Sequence, residues 1–356
     1  MRRVTSADPT PLLPRAVVVL LAMAGAVIVL GGLLASAWLV APLFLAMVIV
    51  IASSPVASWL RQHRVPSWLA TTILILLVYA IIIALVAVLV VSIAQLAALL
   101  PTYAGRANSL LTEVLSQLAR FGVTTTQVKS ILSGLNIGSV IGYVGSLLTT
   151  ATSIGSNVVF VLSLLFFVSL ETSTVDARRI AIAVDRPLIA EAVAGFLRDT
   201  RRYLVVNTIC GLAVAALDTI ALMVLGIPLP WLWGVVAFLT NYIPNIGPFL
   251  GIVPPALLAL LSGGWQLMVI VIAVYLVINF VVQTVIQPRV VGDTIGLSPI
   301  VTFLSFVLWG WILGPIGAIL AVPMTLLVKA LFVDVDPKAG WAHALLTSEQ
   351  DLPKKS

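Results

Sequence analysis

The sequence predicts an all-α polytopic membrane protein. It has about six full transmembrane helices, two broken helical hairpins (eight hydrophobic regions in all) and an amphipathic helical segment on the outer side. Three observations carry this. The chain of 356 residues is 61% hydrophobic and 9% charged, with a mean hydropathy of +1.18. No soluble domain of that size can bury so much apolar surface. The apolar residues fall in runs of the length that a bilayer core of ~30 Å demands of a helix. Two further apolar regions, 231–261 and 298–331, are interrupted midway by glycine and proline.

The elements follow in order. Arg2 and Arg3 precede an apolar run at 16–34, closed by Ala35-Ser36-Ala37, which matches a signal-peptidase site. The run is longer than a usual signal core and a second run, 38–56, follows at once. An uncleaved helical hairpin is therefore expected. With the span 69–92 these form an N-terminal unit, 1–92. Segment 93–150 mixes Leu with Gln, Thr and Ser, and places Leu110, Leu111, Val114, Leu115 and Leu118 at helical spacing, as amphipathic interfacial helices do. Within it Gly134, Gly138 and Gly142 recur every fourth residue and offer a face for close packing, within the chain or between copies. A fourth span is expected at 151–170. Segment 171–202, with six Arg against five acids, reads as a cytoplasmic amphipathic helix with a solvated face. The core, 203–331, holds spans 203–225 and 266–286 and the two interrupted regions. A tail, 332–356, follows.

Basic residues orient the chain. Those in the N-terminal segment, the 57–68 loop, the 171–202 segment and the C-terminal end fall on one side, the cytoplasmic one. Arg106, Arg120 and Lys129 fall outside. Each interrupted region could be one kinked span or a re-entrant hairpin of two half-helices. Both choices keep N- and C-termini inside. The hairpins put Arg289 inside too, so that sixteen of nineteen Lys/Arg are cytoplasmic rather than fifteen. Length also favours hairpins, since over thirty residues is long for one span and short for two. A weak repeat links the regions: "IGPFLGIVPPALL" (246–258) and "LGPIGAILAVPMTLL" (313–327) share Gly-Pro, a further Gly, then Val-Pro and a Leu-rich stretch. Paired broken segments in corresponding parts of a chain point to a transport site.

The breaks suggest chemistry. Non-helical backbone in hydrocarbon is tolerated where protein buries it or where it lines a watery cavity. Prolines at "NYIPNIGP" free carbonyls and expose helix-end dipoles, and Asn241 and Asn245 add amide donors and acceptors. These amides either contact substrate or cap the broken helix ends. Asn279, Gln283 and Gln287, at i, i+4 and i+8, make a polar stripe that either faces a pathway or bridges helices. Asp218 is the one acid well inside an expected span. It is either a hydrogen-bonded structural acid or a proton- or cation-coupling group. Other chemistries lack their signatures. Cys210 is the single cysteine, and the two histidines, His63 and His343, lie in a loop and the tail. There is no P-loop and no H-E-x-x-H. No enzyme activity, cofactor, metal site or nucleic-acid partner is expected.

The block "WGVVAFLTNYIPNIGPFLGIVPP", followed by "QPRVVGDTIGLSPIVTFLSFVLWGWILGPIGAILAVP", resembles the autoinducer-2 exporter (AI-2E) family of bacterial membrane proteins, its exporter branch in particular. The resemblance implies a homo-oligomer, a pentamer, in the bacterial cytoplasmic membrane, with two hairpins near the substrate and an elevator-like exchange of access. Asn241, Pro244, Gly247 and Pro248 match the first hairpin's motif, and Gly314, Pro315, Gly317 and Pro323 the second's. This chain has Gln287 where some members carry an acid, which weakens a sodium/proton antiport reading. Expected substrate-binding residues are Asn241, Pro244, Asn245, Gly247, Pro248, Gly314, Pro315 and Gly317 of the hairpins, with Asn279, Gln283 and Gln287. The expected function is export of a small polar metabolite resembling autoinducer-2. Alternatives are a Na+ or Li+/proton antiporter using Asp218, and a passive channel or envelope scaffold.

Overall fold

The computed structural model describes residues 14–120, 159–167, 169, 182–243, 246–287 and 297–336. Every regular element among them is helical, and six helices are long and apolar enough to cross a membrane. The all-α polytopic expectation therefore holds.

Helix α1 (Arg15–Ala35) is joined to α2 (Ala37–Gln62) through Ser36 alone, whose hydroxyl donates to the Gly32 carbonyl at 2.7 Å. Helix α3 (Ser67–Leu99) runs well beyond the expected end at residue 92, because Ala, Leu and Gln sustain a helix until Pro101. There a short 3₁₀ turn, Leu100–Tyr103, leads into α4 (Ala104–Arg120), the described part of the outer segment. The Gly134–Gly142 stripe lies outside the described residues. Of the fourth span, 159–167 is helical.

Helix α5 (Pro187–Val224) corrects one boundary. The expected cytoplasmic helix and the span beginning at 203 are a single 38-residue rod, about 57 Å long at 1.5 Å per residue. After Pro187 in its first turn the rod contains no proline, so nothing in the backbone ends the helix at residue 202.

Both interrupted regions fold back on themselves. Helix α6 (Pro230–Thr240) meets the first half of α7 (Gly247–Asn279) in an antiparallel pair. The approach is so close that a methyl group at Gly247 would overlap the Thr240 carbonyl. Gly264, at φ 82°, then breaks α7, so 247–263 is the hairpin's returning arm and 265–279 begins the next span. The second hairpin turns at Gly314 (φ 69°) inside α8 (Pro299–Ile319) and returns through α9 (Ala321–Lys329). Both positive φ values suit glycine. The arms of the second hairpin are cross-linked: Trp309 Nε1 donates to Thr325 Oγ1 (3.0 Å), which donates to Ser305 Oγ (2.7 Å). The repeated Gly-Pro has one structural meaning, since in each case it opens the returning arm.

The two largest apolar cores hang on α5. Its N-terminal half packs with α2 and the second hairpin through Phe44, Phe196, Tyr203, Trp309 and Met324. Its C-terminal half packs with α3 and the first hairpin through Ile93, Leu222, Trp233, Ile252 and Tyr275. Large apolar side chains such as Leu20, Ile28, Leu76, Phe249 and Val277 face outward, as lipid-facing residues do.

Candidate functional site

The polar residues meet on α5 between the two cores. Tyr203, Asn207 and Gly211 lie four residues apart, on one face of the rod. Gly211 lets the tip of the first hairpin come close: a Cβ there would stand 2.9 Å from Asn241 Nδ2. That amide donates to the Asn207 carbonyl at 3.1 Å. The tip is held a second time by Tyr242. Its backbone carbonyl accepts from Tyr203 Oη at 2.9 Å, and its own hydroxyl lies 2.7 Å from Thr208 Oγ1. Thr208 donates to the Leu204 carbonyl, so the Tyr242 hydroxyl is the donor of that pair.

The helix after the first hairpin supplies the other wall. The last turns of the span, Phe280–Ile286, are wound as a π-helix, a form that concentrates at functional sites. Gln283 lies within it. Its Nε2 donates to Asn241 Oδ1 and to Asn279 Oδ1, each at 3.1 Å, which uses both of its N–H groups. Asn279 Nδ2 donates in turn to the Tyr275 carbonyl at 2.9 Å. One amide chain thus joins α5, the hairpin tip and the following span.

Asn241, Asn279 and Gln283, expected as separate signals, come together. Asn241 does not use its side chain to cap α6; it bridges to α5 and to the π-helix that follows α7. Gln287 directly follows the π-helix and takes no part in this chain of bonds. Pro244, Asn245 and the Pro288-Arg289 end of the stripe lie outside the described residues. Gly247 and Pro248 open the returning arm, Pro248 lining the cavity described next. Gly314, Pro315 and Gly317 form the turn of the second hairpin, where a methyl at Gly317 would overlap the Trp309 carbonyl. Pro323 is fully buried in its returning arm.

Beside the amide chain is a cavity of about 10 Å³ lined by Asp218, Thr240, Asn241, Pro248, Tyr275 and Asn279, among others. That is about the space of one water molecule, so a metabolite does not fit there in this arrangement. Asp218 is completely buried, and neither carboxylate oxygen has a hydrogen-bond partner among the described residues; the same is true of the Tyr275 hydroxyl. Among the described residues, the hydrogen bonds that a structural acid would need are not found.

Sequence reading missed Tyr203, Asn207, Thr208, Thr240 and Tyr275. A signal was available for some of them. Tyr275 extends the Asn279–Gln283 stripe by one turn, and Tyr203-Asn207-Gly211 has the same four-residue period on α5.

Comparison with known proteins places the chain. The family model described as AI-2E family transporter matches residues 18–335. The chain is 31% identical over 306 residues to the "AI-2 transport protein TqsA" of Escherichia coli (strain K12), covering 85% of this chain and 88% of that protein. It is 30% identical over 317 residues to the "Putative transport protein YhhT" of the same strain, covering 87% and 89%. A relative from Haemophilus influenzae, also named as a transport protein, is 28% identical over 338 residues, covering 94% and 97%. With its all-helical membrane architecture and paired hairpins, this chain belongs to the AI-2E family of transporters.

Proposed function

We propose that this protein exports a small, polar, largely uncharged metabolite of the autoinducer-2 kind, by alternating access. The observation that carries the proposal is the neutral amide chain Asn207-Asn241-Gln283-Asn279 at the tip of a helical hairpin. Amides recognise hydroxyl and carbonyl groups without demanding charge. The name of the relative TqsA supports the substrate class. The water-sized cavity fits an occluded arrangement in which the amides bond to one another; parting the hairpin tip from α5 would free them for a solute. Gly264, at positive φ where the returning arm meets the next span, is the natural point about which the first hairpin pivots.

Trp231 and Trp265 stand at the two ends of the first hairpin, 65% and 66% exposed, as interfacial anchors do. The basic-residue bias supports an outer face for that hairpin, with termini in the cytoplasm of a bacterial inner membrane. By family resemblance the working unit is a homo-oligomer, a pentamer.

The test is an export assay. Cells lacking and expressing the gene are compared for extracellular autoinducer-2 and other small polar metabolites. Expression should raise efflux of at least one such compound, with saturation, and Asn241→Ala with Gln283→Ala should reduce it severalfold. Equal efflux with and without the protein would overturn the proposal, and flux without saturation would indicate a channel.

A further inference from the structure

The loop between α2 and α3 carries charge that the described part of the protein does not neutralise. Helix α2 ends in a Schellman motif: the Val65 N–H donates to the Leu60 carbonyl at 3.3 Å, and the Arg64 N–H to the Arg61 carbonyl at 3.1 Å. The residue that closes such a motif is left-handed and usually glycine. Here it is Arg64, at φ 62°. A side chain kept in that conformation points to a use for the side chain. Arg61 and Arg64 are both exposed, and neither has an ion-pair partner among the described residues. No Asp or Glu occurs between Asp8 and Glu113, so α1, α2 and α3 hold no acid that could pair with either.

Two exposed tryptophans, Trp59 and Trp68, flank the arginines, as side chains at the headgroup level do. The His63 ring packs on that of Trp59, with centroids 4.3 Å apart, and its Nδ1 lies 2.9 Å from the Trp59 carbonyl. Toward the hydrocarbon the outward surface continues with Val56 on α2 and Ile73 and Leu76 on α3.

We propose that Arg61 and Arg64 hold the headgroup phosphate of one anionic phospholipid, whose acyl chains lie along the outward faces of α2 and α3. Three properties select this partner. Guanidinium groups match phosphate oxygens in a bidentate fork. Two unpaired positive charges favour a headgroup with net negative charge over one that carries its own cation. The tryptophans and the apolar strip below them suit a lipid, whereas a soluble anion would use neither. The basic-residue bias puts this loop on the cytoplasmic side, where the leaflet surface is negative. Helix α2 also buries Phe44, Val48 and Ile51 against the core of the second hairpin. A lipid bound at its end would therefore steady the wall on which that hairpin rests.

The test uses the purified full-length chain in detergent, with phosphatidylglycerol titrated into the micelles and thermal unfolding as the readout. Ligand binding to the folded state alone raises the melting temperature. A saturable rise is expected with phosphatidylglycerol, little with phosphatidylcholine of the same acyl chains, and none with inorganic phosphate. Arg61→Gln and Arg64→Gly should each raise the half-saturating lipid fraction about fivefold, equivalent to ~1 kcal/mol per basic residue. Without lipid, Arg64→Gly should melt no lower than the wild type, because glycine suits that backbone. Arg106→Gln, on the outer side, should leave half-saturation unchanged. Equal responses to the two lipids, a rise with inorganic phosphate, unchanged half-saturation in both loop variants, or an equal loss in Arg106→Gln would overturn the proposal. Because the readout is binding to the purified chain, its outcome is separable from whether the protein exports a metabolite.

Discussion

Gln283 Nε2 lies 3.1 Å from Asn241 Oδ1, although the two residues are 42 positions apart. One bond ties the tip of the first hairpin to the span that follows it, and the second N–H of the same amide ties that span to its own Asn279. The hairpin tip is thus latched to a wall of helix rather than open to solvent.

Removing either partner should loosen the latch measurably. Interhelical hydrogen bonds in membrane proteins contribute ~0.6–2 kcal/mol, so Asn241→Ala and Gln283→Ala should each lower the melting temperature in detergent. A double-mutant cycle should return a coupling of ~0.5–2 kcal/mol, because the two variants lose the same bond. A coupling near zero would mean that the two amides act independently.

Gly247 and Gly317 should be intolerant of alanine. The methyl group would meet a backbone carbonyl, of Thr240 in one hairpin and Trp309 in the other, and backbone cannot swing aside as a side-chain end can. Overpacking of this kind costs about 1–3 kcal/mol or more. Gly25→Ala and Gly31→Ala, with open space around them, should match the wild type or exceed it slightly. Yield of monodisperse protein in size-exclusion chromatography, together with melting temperature, separates the two classes.

Gly264 and Gly314 should tolerate neither alanine nor asparagine. Their backbone angles, φ 82° with ψ −175° and φ 69° with ψ −154°, lie in a region that essentially only glycine occupies, where a side chain costs about 1–3 kcal/mol. Melting temperatures of the alanine and asparagine variants should both fall well below that of the wild type. A Gly264→Ala protein as stable as wild type would show that the break can be straightened without cost.

Sidedness can be read by thiol labelling. Cys210, the single cysteine, is buried and should contribute little background. Cysteines at Trp231 and Trp265 should both react with an impermeant maleimide from the outer face, and one at Trp68 only from the cytoplasmic face. Labelling of 231 and 265 from opposite faces would rule out a hairpin that enters and leaves on one side.

Much of this was legible in the chain. Composition and run length alone determined an all-helical membrane protein, because hydrocarbon admits only helices and closed barrels, and unbroken apolar runs of ~20 residues have the length of a spanning helix rather than of a strand. The broken regions were visible too, since proline and glycine act locally. The repeated Gly-Pro marked the start of both returning arms for the same reason, and the family resemblance was carried by those same residues. Boundaries were less legible. The rod α5 passes through residue 202 unbroken because charge pattern tells where a helix meets water and says nothing about where it ends.

Tertiary structure decided the rest. Which way each interrupted region bends depends on a carbonyl of one arm fitting against a glycine of the other, a contact between residues whose approach no local propensity specifies. That Asn241 bonds to Asn207 and Gln283 rather than to its own helix end depends on the gap left by Gly211. Asp218 could be placed in a span from sequence, but its lack of donors among the described residues and the water-sized cavity it shares with Tyr275 are properties of how α5 and α7 pack. Hydrogen-bond partners and cavities are set by side chains far apart in the chain, and they exist only once the helices are assembled.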